Sequence, residues 1–303
     1  MFKVSIFLMS STFLFITFSL QGAWANDFRS CPQNFYSQQA PDYIDSKLIE
    51  DTVPLCFDGF ATLYSGLSRT PLWSAEHLTR ERLYQAEKVT REESFHSESW
   101  LPSRMRAQLS DFLGSEYERG LLAPNADMAN QSQQYDSFSL ANIIPLAPEN
   151  NRYVLKNLES VTRYLTKQHG EVYVVTGVAF RGSKLYQLNH RVLVPTHTFK
   201  ALYIPETGEA SAYYAPNDDT KRVEVISINE LALRSGINVF PVIPSEAKAT
   251  TIPFPTTVGD ILDRGDYTGK SQRDSGESQP DEPFWYRILV EVLRWFIDNF
   301  LSK

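Results

Sequence analysis

The sequence predicts an α+β protein with a central, mostly antiparallel sheet flanked by helices, and three observations predict it. Residues 59–77 alternate apolar and polar positions around a turn-rich piece at 65–70, the pattern of a β-hairpin. Residues 171–214 hold several short runs rich in β-branched and aromatic residues, separated by turns such as Pro205-Glu206-Thr207-Gly208. Between these, residues 149–168 carry the clearest helical spacing in the chain, through Tyr153, Val154, Leu158 and Val161. With 303 residues the chain can bury a sizeable core, as one large domain or two small ones.

Residues 1–25 read as a secretory signal peptide. Lys3 is the early positive charge, residues 6–18 are mostly apolar, and Ala23-Trp24-Ala25 is an A-x-A cleavage site. The apolar run is short for a spanning anchor, and no cysteine follows the cleavage site to carry a lipid. A periplasmic or secreted protein is expected. The only two cysteines, Cys31 and Cys56, then form one disulfide in an oxidising compartment, closing a loop of about 25 residues worth about 3 kcal/mol. Two cysteines with no Cys/His cluster beside them do not make a zinc site. Residues 26–58 are expected to be an irregular N-terminal arm tied down by that bridge. The formal charge of −7 gives no global basic field, which argues against a protein that coats nucleic acid stoichiometrically. Any such binding must come from a local groove.

Residues 78–108 are charged and poorly periodic, so a long surface loop is expected, carrying Arg80, Arg82, Arg91, Arg104 and Arg106. The helix over 149–168 starts after Pro148, with Glu149 suited to its positive end. Residues 171–180 read as a buried strand with Gly177 as a bulge, and further strands follow near 192–194, 198–204 and 210–214. Residues 223–237 read as a strand and a short helix capped by Ser227 and closed by Gly236. Residues 244–282 are rich in Pro, Thr, Ser and Asp and lack an apolar period, as in a flexible linker. In residues 283–303 a narrow polar stripe of Arg287, Glu291, Arg294 and Asp298 divides an otherwise apolar and aromatic helix. That helix can dock in a groove of its own domain, lie on a membrane surface as a peripheral anchor, or meet a protein partner or a second copy in a homodimer.

The stretch 117–159 organises the chain. It holds Glu118-Arg119-Gly120-Leu121, then Pro124 and Asn125, then Asn142 followed by Pro145 and Pro148, then Asn151 and Glu159. It resembles the core of the DNA/RNA non-specific endonucleases, a family of ββα-metal (His-Me finger) nucleases of the endonuclease G kind, whose signature is DRGH. The resemblance extends over roughly 59–243. It implies a ββα finger inserted beside the sheet and hydrolysis of DNA and RNA without sequence preference. It also implies a single Mg²⁺, with Mn²⁺ as an alternative, held by Asn151. By the same resemblance Glu159 steadies metal-bound water, and Asn142 supports the finger and the attacking group. Arg119 has a structural or phosphate-side role, Gly120 supplies a tight turn, and Arg91 faces the scissile phosphate. Asn151 beside Asn150 near a helix start also reads as a cap when taken alone. On a regular helix Asn151 and Glu159 stand about 80° apart around the axis and about 12 Å apart along it.

Leu121 occupies the position of the general-base histidine and cannot take a proton. Such a base typically contributes about 10²–10⁴-fold, so a crippled or lost activity is expected. His96 comes nearest to a substitute, because it shares a loop with Arg91. Glu118 replaces Asp, Leu146 stands where the family has Gln, and Leu155 where it often has Trp. Leu121 and Leu146 together are expected to dry a strip that should be wet, weakening phosphate binding while leaving metal affinity intact. Three readings follow: a weak nuclease, a catalytically dead module that binds nucleic acid or another partner, and a decayed gene product.

Overall fold

The computed structural model describes residues 28–263. The expected signal peptide, the helix at 283–303 and the end of the 244–282 segment lie outside the described residues. In chain order, β1 (Asp42–Tyr43) precedes β2 (Thr52–Cys56), β3 (Ala61–Ser65) and β4 (Thr70–Thr79). Helix α1 (Arg80–Ala86) leads to β5 (Glu118–Leu121), α2 (Gln131–Ser137) and β6 (Ile143–Leu146). A π-helical turn (Asn150–Leu155) continues into α3 (Lys156–His169) and then β7 (Glu171–Ala179). The small pair β8 (Gln187–Leu188) and β9 (Val192–Leu193) comes next, then β10 (His197–Ile204) and β11 (Glu209–Pro216). β12 (Glu224–Ile226), α4 (Ile228–Ser235), β13 (Ile237–Asn238), α5 (Ser245–Ala249) and α6 (Val258–Asp263) complete the described chain.

Seven strands form one antiparallel sheet in the order β12-β11-β10-β7-β4-β3-β2. Strand alternation sends Trp73, Ala75, Ala201 and Tyr203 to one face, where Phe28, Phe35 and the α4 residues Ile228 and Leu231 pack on them. The other face sends Leu78, Val174, Leu202 and Ile204 against Val154, Leu158, Val161 and Leu165 of α3 and the turn before it. These apolar residues recur every three or four positions, which gives the helix its buried stripe. The sheet is thus covered on both sides, and β5 and β6 pair separately beside it.

Four segments differ from the sequence reading. The arm expected to be irregular over 26–58 contributes β2, the edge strand, and the Cys31–Cys56 disulfide ties the chain before it to that edge. The expected loop over 78–108 begins with the last residues of β4 and then α1, which is capped by Thr79. Its arginines mostly brace backbone: Arg80 donates to Lys167 O and Gln168 O, and Arg106 to Leu101 O and Ser99 O. The start of the linker holds α5 and α6, and buries Phe254 and Ile261 under the sheet. Gly177 is no bulge, since β7 pairs with both neighbours without interruption. A Cβ there would stand 2.4 Å from Phe199 Cζ and 2.7 Å from the Leu72 carbonyl, so the glycine answers a close approach.

Candidate nuclease site

The floor of the site is a row of polar side chains across the sheet. Thr62, Ser74, Thr176 and Lys200 are cross-strand neighbours on β3, β4, β7 and β10, and all are buried. Thr62 and Ser74 share a 2.7 Å hydrogen bond, and Lys200 Nζ donates to Thr176 Oγ1 at 2.7 Å. Buried polar groups cost several kcal/mol when unpaired, about 1–3 each, so this row must be satisfied from above as well as along the sheet. Asn142 does so. Its Oδ1 accepts from Ser74 Oγ (2.8 Å) and Ala123 N (2.9 Å), and its Nδ2 donates to Ala123 O (2.8 Å) and Ser137 O (2.9 Å). An amide offers two donors and an acceptor oxygen with two lone pairs, and all are used. Asn142 therefore ties Ser74 of the sheet to Ala123, just past β5, and to Ser137, with every polar atom of its amide spent on these partners.

Beside this row lies a charged network. Arg82 donates to Glu76 Oε1 (3.0 Å), Asp127 O (2.8 Å) and His77 O (3.1 Å). Arg163 donates to Asp127 Oδ1 at 2.9 Å and stands 3.9 Å from Glu159, one helical turn back. Burial pushes the Glu76 carboxyl up to about 8, with Asp127 adding to the shift and Arg82 opposing it. Burial also raises the Glu159 carboxyl, against the pull of Arg163 and Lys200. This network joins β4, α1, the turn at Asn125–Asp127, α3 and β10 in one buried assembly. The sequence reading missed Glu76, Asp127, Arg163 and Lys200, and placed Arg82 on a surface loop where the structure has it paired inside. The available signals were the i,i+4 spacing of Glu159 and Arg163 and the polar residues at inward positions of strands.

The finger is the β5–β6 pair, with Glu118 opposite Leu146, Gly120 opposite Ile144 and Leu121 opposite Ile143. Alternation puts Glu118 and Gly120 on the face toward the π-turn, and Arg119 and Leu121 on the other. Glu118 Oε2 accepts from Asn151 Nδ2 at 2.8 Å, and Oε1 pairs with Arg152. Partial burial opposes ionisation of Glu118, but these two donors hold its carboxyl below the usual range. A carboxylate only accepts, so the contact fixes the Asn151 amide with Nδ2 toward Glu118 and Oδ1 turned from it. The π-turn takes one residue out of the α repeat. The phase from Asn151 to Glu159 is then that of seven steps, about 20°, and both fall on one face, not on neighbouring faces about 80° apart.

Gly120 lies within strand β5 and not in a tight turn. A Cβ on it would stand 2.7 Å from Leu146 Cδ2, so the glycine makes room for Leu146. Leu146 and Leu155 are themselves core, packed with Leu122, Ile144 and Val178. Leu121 is half-buried on the opposite face, packed with Phe95 and Tyr117 onto Leu140 and Ile143. The two leucines therefore do not share one wet strip. On Leu121's face Arg119 lies 3.9 Å over the Phe95 ring, and its guanidinium stands 3.9 Å from Glu93. Arg91 donates to Asn125 Oδ1 (3.2 Å) and Glu93 Oε2 (3.2 Å). His96, the next residue after Phe95, stacks on Tyr135 at 4.2 Å and bonds Ser94 O through Nδ1, so it is engaged elsewhere.

A model of the DNA/RNA non-specific endonuclease family matches residues 43–246. The chain belongs to that family. Relatives of this endonuclease-family chain include Nuclease C1 of Cunninghamella echinulata var. echinulata, 32% identical over 203 residues, which are 60% of this chain and 81% of that protein. The mitochondrial nuclease of Saccharomyces cerevisiae is 32% identical over 218 residues (62% and 66%), and human mitochondrial endonuclease G is 32% identical over 210 (63% and 70%). A chain of the solved EndoG/EndoGI complex superposes with a TM-score of 0.60 over 66% of this chain and 89% of its own length, at 24% identity. That match establishes the ββα-metal nuclease fold of this endonuclease-family member. The family is one of metal-dependent nucleases. Among the described residues no three His, Cys, Asp or Glu side chains gather as a ligand set, and no helix is long and apolar enough to cross a membrane.

Proposed function

We propose that this chain is an exported, Mg²⁺-binding member of the endonuclease family that keeps the metal and phosphate half of its site and has lost the base half. Hydrolysis of DNA and RNA would be weak or absent, and binding without sequence preference would outlast it. The observation that carries the reading is the pairing of Glu118 with Asn151 on one face of the finger while Leu121 packs with Phe95 and Tyr117 on the other.

The residues present fit a hard cation that keeps most of its waters. Asn151 offers one carbonyl oxygen beside the ionised Glu118, and such a sparse donor set suits Mg²⁺ better than zinc. When bound, the ion would supply positive charge at the phosphate oxygens and the departing oxygen. Arg91 and Arg119 would hold and orient the phosphodiester. Glu159, raised by burial and facing Arg163, would anchor water near the ion. No side chain at position 121 would remove the proton of the attacking water, a deficit of about 10²–10⁴-fold.

The test is hydrolysis of DNA and of RNA by the mature protein and by Leu121→His, with Mg²⁺ and with EDTA. A gain of at least about 10²-fold in the variant, abolished by EDTA, is expected. Full activity in the unaltered chain would mean that another group serves as the base. Calorimetric titration with Mg²⁺ should lose its signal in Asn151→Ala and keep it in Leu121→His. Export is supported by the Cys31–Cys56 bridge, which belongs to an oxidising compartment, although two of the relatives named above are mitochondrial by name. The mass of the mature N-terminus would settle it, with cleavage after Ala25 the expected result.

A further inference from the structure

Glu93 occupies a position that the site does not need for its own architecture. Its carboxylate accepts from Arg91 at 3.2 Å and stands 3.9 Å from the Arg119 guanidinium, so two cations on separate segments converge on one anion. Each cation has a second anchor. Arg91 is held by Asn125 Oδ1 at 3.2 Å, and Arg119 by the Phe95 ring at 3.9 Å. Removing Glu93 would therefore leave both guanidiniums in place. The segment itself is fixed next door, where Glu92 N donates to Gln134 Oε1 at 2.7 Å. The Glu93 side chain is 50% exposed, free to swing into water without moving backbone.

Two guanidiniums gripping an oxyanion is also the arrangement that recognises phosphate. We propose that Glu93 is a tethered anion seated in the phosphate-binding position of Arg91 and Arg119, which a nucleic-acid phosphate must displace before the strand can enter. The inference rests on the reading above that these arginines meet substrate phosphate. Its consequence is selectivity by charge density. A flexible strand that brings several phosphates to the groove outcompetes Glu93, whereas a single phosphate or a carboxylate does so poorly.

Binding of a short fluorescent single-stranded oligonucleotide to the full mature chain, in EDTA and across a salt series, tests this. Glu93→Gln is expected to bind about five-fold tighter, the scale of a half-exposed ion pair removed from competition. The slope of log affinity against log salt should steepen by about 0.7, as one more positive charge becomes available to the strand. Glu92→Gln, the same charge change one residue away, should leave both quantities where they are. An unchanged or weaker affinity in Glu93→Gln, with binding still lost in the Arg91→Gln/Arg119→Gln double variant, overturns the tethered anion and leaves the phosphate reading standing. An equal gain in Glu92→Gln overturns it too, because the effect is then general charge. If the double variant binds as well as the unaltered chain, or none of the proteins binds, the phosphate reading fails and takes this inference with it.

Discussion

The two faces of the β5–β6 finger differ sharply. Toward the π-turn, Glu118, Asn151 and Arg152 form a closed polar contact with an ionised carboxylate at its centre. Away from it, Leu121 continues an apolar surface made by Phe95, Tyr117, Leu140 and Ile143. Beneath both faces the bracing is intact, through Asn142 and the Ser74 row. The difference teaches that bracing, polar contact and apolar packing in the finger are carried by separate residues. The side chain at one half-buried position can change while the contacts on the other face stay built.

The comparison breaks most completely if its common foundation is removed. Asn142→Leu would strand a donor and two carbonyls in the interior together with the Ser74 hydroxyl, and a loss of about 4 kcal/mol or more is expected in urea unfolding. A second, pH-dependent effect comes from Glu76. Its folded-state value near 8 lies above its ordinary 4.5, so the native state binds the extra proton between the two. Stability from this group is full below about 4.5 and falls as pH rises through about 8, by up to about 1.4 kcal/mol per pH unit. Glu76→Gln should flatten that decline in denaturation measured from pH 5 to pH 9. Restoring polarity at the two leucines then sharpens the contrast between the faces. Leu146→Gln buries an amide under Gly120 and should cost about 2 kcal/mol. Leu121→His, half-buried at the edge of its cluster, should change stability by less than about 1 kcal/mol. Equal costs at the two positions would mean that the faces are not packed as differently as the contacts show.

The strands and helices were legible wherever apolar period and burial agree. The hairpin, the helix at 149–168, the strands at 171–214 and the Ser227-capped helix ending at Gly236 all stand where the pattern put them. The edge strand Thr52–Cys56 was missed because edge pairing satisfies backbone groups and needs little apolar alternation of its own. Helix α1 was missed because most of its seven residues are polar, with only Leu83 and Ala86 buried. Within the site the motif residues could be read from spacing, but their division between faces could not. Spacing along a strand gives parity only once the strand's bounds are known, and Gly120 looked like a turn until its packing against Leu146 was visible. The buried charges were hidden for a different reason. Asp127 carries no mark in the sequence that separates it from solvated neighbours, and Glu76 and Lys200 carry only their inward place on a strand, since the third dimension alone brings their partners to them.

The π-turn at Asn150–Leu155 has a consequence for how this chain can change. An uninterrupted α-helix through the same stretch would be the better-formed element by hydrogen-bond register. Deleting a single residue between 151 and 159 would mend the helix and leave side chain 151 at about the same angle to Glu159, because the π-turn already fits eight residues into the phase of seven regular steps. An extra residue can thus be gained or lost within this one turn while the buried stripe of α3 and the side chains ahead of it keep their alignment.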